Sequence, residues 1–333
     1  MLVSVIIGLL NEEKYLPKLI EDFKRQTYPH KNIELIFIDG MSTDKSWEIL
    51  NDFENKVNDF YDIKLLKNPK RILSAGMNIG IQNSTGNLLL KVDCHSHLTD
   101  DFIKNNIKII NEGEYVCGGP RPNIIENSNN FKNTLLLVEE NLFGSGIASY
   151  RKKSDKKYVN SVFQGMYRKE VFEKCGLLNE SVGRVEDNEL HYRIRNNGYK
   201  IRYSNDILSY QYTRPTLRGM VKQKYSNGYW IGKVSHIYSK AFSIFHFVPV
   251  VFVSSIIFSL LLLFVTNFFI LTLAIVYFLF TVLVTILTML NNKFNLTLLL
   301  MPILLFLIHF SYGLGTLIGL LKGFSWKKEY YKN

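Results

Sequence analysis

The chain has 333 residues, 47% hydrophobic and 21% charged, with a formal net charge of +11. That length admits one large domain or a domain with an appendage. Cys94, Cys117 and Cys175 lack CxxC spacing and point to neither a disulfide framework nor a zinc site. The basic balance raises nucleic-acid binding, but no nucleic-acid motif accompanies it, so no nucleic-acid partner is expected.

Residues 2–9 (LVSVIIGL) form an apolar run suited to a buried strand. The opening MLVSVII has no basic region or cleavage site, so it reads as a strand rather than a signal peptide. The water-soluble part is therefore expected to stay in the cytoplasm. Asn11-Glu12-Glu13 follows, then a helical pattern through Leu16, Leu19, Ile20 and Phe23. IELIFID is a second apolar strand, ending at Asp39. The segment GMSTD punctuates it, and Ser42 or Thr43 is expected to cap the helix carrying Trp47, Ile49 and Leu50. A weaker strand at 63–66 leads to a glycine-containing helix at 74–83, and a fourth strand, NLLLKVD, ends at Asp93.

Strands alternating with helices, with continuous apolar strands, predict an α/β fold whose mostly parallel sheet is covered on both faces. In such sheets ligands bind beyond the carboxyl ends of the strands. Asp39 and Asp93 end two strands and are expected to face one crevice, although either alone reads equally well as an acid starting a turn. Residues 114–240 are less regular, with no internal repeat and no low-complexity linker. Within them Gly118-Gly119-Pro120 marks a turn. Arg151-Lys152-Lys153 with Lys156-Lys157 reads as a solvated loop able to close over a substrate.

Three stretches carry candidate chemistry. In Asp93-Cys94-His95, residues i and i+2 leaving a strand can converge on one ion. A carboxylate with an imidazole suits Mn²⁺ or Mg²⁺ bridging a diphosphate, the nitrogen favouring Mn²⁺, and such an ion neutralises charge on a leaving phosphate. Glu186-Asp187-Asn188-Glu189 is either a solvated helix start stabilised by the helix dipole or a carboxylate general base that takes a proton from an acceptor hydroxyl. The run QKYSNGYW, Gln223 to Trp230, could hold a diphosphate or stack on a sugar; its aromatics suit a membrane–water interface equally well. His191, His236, His246 and His309 lack partners at metal-binding spacing and read as structural.

The last third is different in kind. From Ala241 to Leu321 the single formal charge is Lys293. Residues 247–290 contain no Asp, Glu, Lys or Arg. As one helix they would be about 66 Å long, against a hydrocarbon core of about 30 Å. Two spans fit better, 247–266 and 267–290, turning at Thr266-Asn267, with a third at 296–321. Buried helices of a soluble protein are the competing reading. Before this region, residues 201–240 set Arg202, Arg214, Arg218, Lys222, Lys224, Lys233 and Lys240 against Asp206 alone. That placement suits anionic headgroups or a phosphorylated lipid and a cytoplasmic membrane flank. Three crossings from a cytoplasmic start, however, put Lys322, Lys327, Lys328 and Lys332 outside, against the positive-inside tendency, so either the last stretch, with His309, Gly313 and Gly315, lies in the interface or re-enters, or the tail is an exception.

Taken together, VSVIIGLLNEEKYLPKLI, IELIFIDGMSTDKSWEI, SAGMNIGI…STGNLLLKVDCH and GRVEDNELHYRIRNNGYKI resemble family 2 glycosyltransferases of the GT-A fold, over about residues 2–230. The subgroup most similar is the ExoA-like proteins of succinoglycan biosynthesis, which also carry DxH and C-terminal membrane segments. The resemblance implies inverting transfer by direct displacement from a nucleotide-sugar, expected to be a UDP-hexose, to a lipid-linked saccharide in exopolysaccharide or capsule synthesis. Transfer to polyprenyl phosphate and a non-catalytic nucleotide-sugar scaffold are its rivals. It implies nucleotide contacts at Asn11, Glu12, Asp39 and Arg71, the metal and diphosphate motif at Asp93 and His95, and the general base at Asp187 with Glu186 beside it. Gln223 and Trp230 match part of the QxxRW motif of processive synthases; the Arg is absent, which argues against processivity. The expected organisation is a GT-A domain at 1–230, a juxtamembrane segment at 231–246, a multi-pass membrane region at 247–321 and a basic tail at 322–333.

Overall fold

A computed structural model describes residues 1–141, 143–144, 153–213 and 216–330. Arg151 and Lys152 of the expected closing loop, Arg214 of the basic segment and Lys332 of the tail lie outside the described residues. The chain forms two compact units, Met1–Asn123 with Ala148–Tyr212, and Ile124–Ile147 with Thr213–Asn333.

The elements run β1 (Val3–Leu9), α1 (Leu16–Lys24), β2 (Ile33–Asp39), α2 (Ser46–Lys56), β3 (Asp62–Lys67), α3 (Leu73–Gln82), β4 (Leu88–Asp93), β5 (Ser96–Leu98) and α4 (Phe102–Asn111). Then come β6 (Val116–Gly118), β7 (Asn123–Ile124), α5 (Asn130–Glu140), β8 (Tyr158–Val159), β9 (Met166–Arg168), α6 (Lys169–Cys175), α7 (Glu186–Asn196), β10 (Ile201–Tyr203) and β11 (Ser209–Tyr212). The remaining helices are α8 (Leu217–Val234), α9 (Val248–Leu261), α10 (Phe268–Asn291) and α11 (Met301–Tyr330).

In the first unit an eight-stranded sheet has the order β3-β2-β1-β4-β9-β6-β10-β8. The four strands that alternate with helices are parallel. β9 runs antiparallel to both β4 and β6, so the whole sheet is mixed. Both faces are covered. Val3, Val5 and Ile7 of β1 join Leu35 and Phe37 of β2 in one core, while Ile6, Ile36 and Ile38 join α3 and α7 residues in the other. Alternate residues of a strand point to opposite faces, so two covered faces require a mostly apolar run, in which the buried Ser4 and Glu34 bond each other.

Register brings the strand ends level. Leu9 pairs with Asp39, Gly8 with Asp93, and Asp39 with Lys67. Just beyond Asp93, β5 pairs antiparallel with β11, opposing Ser96 and Gln211.

The second unit contains α5, α8 and the apolar helices. Leu135 and Val138 of α5, Met220 of α8, Val284 of α10 and Leu304, Leu305 and Ile308 of α11 share one core. Among the described residues, three helices are long and apolar enough to cross a membrane: Ile244–Phe264, Phe268–Asn291 and Leu296–Tyr330. The third runs nine residues past Leu321, so the described part of the basic tail is helix rather than a loose end.

Candidate active site

Two loops at the carboxyl edge of the sheet interlock. The Asn11 side chain accepts the Thr43 amide at 2.8 Å, and the Asn11 amide donates to Ser42 Oγ at 2.9 Å. The Glu12 amide donates to Ser46 Oγ at 2.9 Å. Ser42 and Thr43 therefore tie the loops together and do not cap α2, whose preceding residue is Lys45. Asn11, Met41 and Arg71 adopt positive φ of 56°, 62° and 57°. Such left-handed residues cost energy and gather where surrounding structure imposes a functional geometry.

At one end of this edge stands Asp39, fully buried. Its carboxylate accepts the Ser42 amide at 3.1 Å and pairs with Lys67 Nζ at 2.9 Å. The same Lys67 ammonium sits 3.1 Å from the Trp47 ring centroid. Arg71 donates to the carbonyls of Gly40 and Met41, both at 3.2 Å, and so joins the loop that follows Asp39.

At β4, Asp93 and His95 leave the sheet together. Burial works to raise the Asp93 pKa, but Lys91, His95 and Arg121 outweigh it and hold the carboxyl below its ordinary value. Arg121, itself buried, lies 3.7 Å from Asp93 Oδ2. His95 Nδ1 meets Glu12 Oε1 at 3.1 Å, and Nε2 meets the Gln211 amide nitrogen at 3.0 Å. With Nδ1–H donated to Glu12, the Nε2 lone pair accepts the Gln211 amide hydrogen, so Nε2 is open to a cation when that amide turns away. This carboxylate–histidine arrangement orients imidazoles in metal sites. Asp93 and His95 Nε2 thus fit a divalent cation that draws its remaining ligands from phosphate and water. Among the described residues no group of three His, Cys, Asp or Glu gathers to hold an ion unaided. His97 points elsewhere: its Nδ1 is 2.9 Å from Asp22 Oδ2.

Two residues before Asp93, on the same side of the strand, Lys91 reaches the start of α7. Its ammonium donates to Asp187 Oδ1 and Oδ2 at 2.6 and 2.7 Å and lies 3.4 Å from Glu186 Oε1. Burial works to lower the Lys91 pKa, but Asp187, Glu186 and Asp93 together hold its ammonium well above the ordinary lysine range. Burial, reinforced by Asp187 and Asp93 and opposed by Lys91, pushes the Glu186 carboxyl up. Val185, just before the helix, has φ 63°. A β-branched residue in that region is an outlier; here it aims the helix start and its acids at Lys91. Ile6, Met77, Leu89, Tyr167 and Leu190 line a small cavity beside Lys91 and Asp187, which keeps that side of the pair apolar.

The structure thus brings Asp93, Glu186 and Asp187 round one lysine, with Asn11, Glu12, Asp39, Arg71 and His95 along the same strand edge. Gln223 and Trp230 lie on α8 of the second unit. There Trp230 packs edge-on against Tyr229, with Lys233 Nζ 4.8 Å from its ring centroid. Sequence reasoning missed Lys91, Lys67, Arg121 and Gln211. Lys91 had a signal, because a charge in the middle of LLLKVD must be paired if the strand is buried on both faces. Gln211 had none, since only the β5–β11 pairing carries it to His95.

The sequence profile of Glycosyl transferase family 2 matches residues 4–176. A glycosyltransferase of Methanococcus voltae, dolichyl N-acetyl-alpha-D-glucosaminyl phosphate 3-beta-D-2,3-diacetamido-2,3-dideoxy-beta-D-glucuronosyltransferase, is 30% identical over 96% of this chain and 98% of its own. The succinoglycan biosynthesis protein ExoA of Rhizobium meliloti is 24% identical over 67% of each chain. Among solved structures, the mannosyltransferase PcManGT of Pyrobaculum calidifontis, in complex with GDP-Man and Mn²⁺, aligns with a TM-score of 0.61 at 14% identity, covering 98% of this chain and 87% of that one. That likeness shows the shared fold. A parallel-edged α/β unit with an acid at each of two strand ends, a profile match over half the chain and a near full-length relative agree: this chain is a glycosyltransferase of family 2, with the GT-A fold.

Proposed function

We propose that the chain transfers a hexosyl group, with inversion, from a nucleoside diphosphate sugar, UDP-linked, to a saccharide already carried on a lipid. The observation that carries this reading is the arrangement around Lys91. The Asp187 carboxylate stands at a helix start, held by the same Lys91 ammonium that feels Asp93. An acceptor hydroxyl placed there gives its proton to Asp187 as its oxygen attacks the anomeric carbon. The anomeric C–O bond breaks and the nucleoside diphosphate leaves. Asn11, Asp39 and Arg71 hold the nucleoside end, and the interlocked loops fix their geometry before substrate arrives. Asp93 and His95 would hold Mn²⁺ or Mg²⁺, which when bound neutralises charge on the diphosphate. Glu12 keeps the His95 ring oriented for it, and the Gln211 amide would yield Nε2 to it.

The acceptor class draws support from the Methanococcus voltae relative, whose name specifies a dolichyl N-acetylglucosaminyl phosphate. It draws further support from the apolar helices, which suit a chain seated in the membrane where such a lipid resides. Gln223 and Trp230 are assigned to the acceptor side, and the catalytic unit to the cytoplasmic face. Asp187→Asn tests the reading. Turnover of radiolabelled UDP-sugar into lipid product falls about 10²- to 10⁴-fold while UDP binding persists. Near-normal turnover in that variant removes Asp187 as the base. Mass analysis of the lipid product separates an extended saccharide from a single sugar on polyprenyl phosphate.

A further inference from the structure

α11 reads in the sequence as a third membrane span, yet its neighbour α8 argues otherwise. The two helices run parallel in close contact along most of α8. A Cβ on Gly315 would lie 2.2 Å from the Tyr225 carbonyl oxygen, one on Gly319 2.1 Å from that of Tyr229, and one on Gly232 2.3 Å from that of Thr316. Further along, His236 Nε2 meets the Leu320 carbonyl at 2.8 Å, and the Tyr238 and Tyr330 hydroxyls meet at 2.7 Å. At the other end Met220 shares a core with Leu304, Leu305 and Ile308. From Met220 near Leu304 to Tyr238 at Tyr330, numbers along α8 and just beyond it rise together with those on α11, turn by turn. α8 therefore covers most of the apolar stretch that would have to cross.

α8 cannot cross. Its 18 residues include Arg218, Lys222, Lys224 and Lys233, with Arg218 and Lys222 exposed. Such charges are costly in hydrocarbon and face a bundle interior or water when present there. A helix fixed alongside α8 shares its depth. The outward side of α11 has the opposite character. Ile303, Phe306, Phe310, Leu314, Leu317 and Leu321 follow at steps of three and four, all exposed or half-buried, with Phe306 packed edge-on against Phe252 of α9 and Tyr277 of α10. Beyond Phe306, an apolar stripe on α11 and exposed charges on α8 make an amphipathic two-helix layer.

We propose that α8 and α11 lie together in the plane of the membrane surface, α11 setting its apolar stripe into the acyl boundary and α8 turned to water, and that the chain crosses the bilayer twice, through α9 and α10. The partner is one face of a lipid bilayer. Two crossings return the tail to the side it left, so Lys322, Lys327 and Lys328 join Lys233 and Lys240. That distribution is the one the positive-inside tendency favours, and it removes the conflict that three crossings create. The proposal needs the apolar helices to meet a membrane but does not depend on the transferase assignment.

Single cysteines at three exposed positions test it in the full-length chain, in sealed vesicles treated with a membrane-impermeant maleimide. Cys94, Cys117 and Cys175 are buried and give the background. Ser239→Cys and Ser325→Cys are expected to label from the same face, and Asn267→Cys, in the turn between α9 and α10, from the other. Labelling of Ser325→Cys from the face opposite Ser239→Cys means an odd number of crossings and overturns the proposal. Labelling of Asn267→Cys from the Ser239→Cys face overturns the two-crossing part. A nitroxide on Leu314→Cys, midway along α11, is expected at the acyl boundary in a relaxation-agent depth measurement. A depth at the bilayer midplane overturns the in-plane placement.

Discussion

Each unit buries a lysine against a carboxylate, and the two pairs differ in what else faces the lysine. In the second unit Lys224 Nζ lies 3.1 Å from Glu139 Oε1, and the Thr213 hydroxyl donates to Oε2 at 2.7 Å. Among the described residues, the acid facing this lysine is Glu139 of α5, across from Lys224 of α8. In the first unit Lys91 holds both oxygens of Asp187, stands 3.4 Å from Glu186 and feels Asp93 as well. Two acids face the buried lysine directly and a third, Asp93, acts on it electrostatically. A buried pair by itself is weak evidence of function. The excess of acid over base is what marks the Lys91 end, because an arriving cation or proton has something to answer there.

Breaking the balanced pair gives the largest change in stability and none in chemistry. Glu139→Gln or Lys224→Met leaves a buried charge uncompensated and lowers stability by about 3–5 kcal/mol, read as a fall in melting temperature. Turnover per folded molecule stays at the parent level; a loss of turnover with stability intact would erase the contrast between the two lysines.

Behind the acid cluster, His191 supplies a pH test. Its Nδ1 is 2.9 Å from Ser161 Oγ and its Nε2 2.8 Å from the Tyr167 hydroxyl. Burial, opposed by Asp187, pushes its pKa down to about 4 from 6.5. The folded state thus favours the neutral ring. Its contribution is fully present above pH 6.5 and is lost as pH falls through 4, on the order of 3 kcal/mol. In His191→Phe the chemical-denaturation midpoint should change less between those two pH values than it does in the parent.

Lys91→Met sharpens the comparison from the catalytic side. Among three acids left without their lysine, Asp187 loses both its orientation and its charge balance. We expect kcat to fall about thirtyfold, roughly 2 kcal/mol, with UDP affinity retained and most of the loss recovered in Lys91→Arg. Loss of UDP binding instead would place Lys91 on the diphosphate. The smallest effect belongs to Glu12→Gln, which weakens the hold on His95. The Mn²⁺ concentration for half-maximal turnover should rise about tenfold, and an unchanged metal requirement would detach Glu12 from that role.

Much of the first unit was legible in the sequence for a simple reason. Strands buried on both faces must be mostly apolar, so LVSVIIGL, IELIFID and NLLLKVD declare themselves and place Asp39 and Asp93 at their ends. The helix start at Glu186 was legible from its acids. The α2 cap was misread because Ser42 and Thr43 look the same in sequence whether they bond their own helix or, as here, a loop 31 residues earlier. The reversal of β9 was hidden because three residues, MYR, carry no direction.

The sequence by itself determined the family, the parallel edge with its two strand-end acids, and the apolar C-terminal third, because each is written in local periodicity or in runs of one polarity. Only the tertiary structure decided that Lys91 clamps Asp187, that Glu12 and Gln211 hold His95, and that α11 is paired along its length with a charged helix. Those are contacts between segments about 80 to 120 residues apart. Chain order sets which side chains are available for them, but the closing of sheet and helices selects the partner.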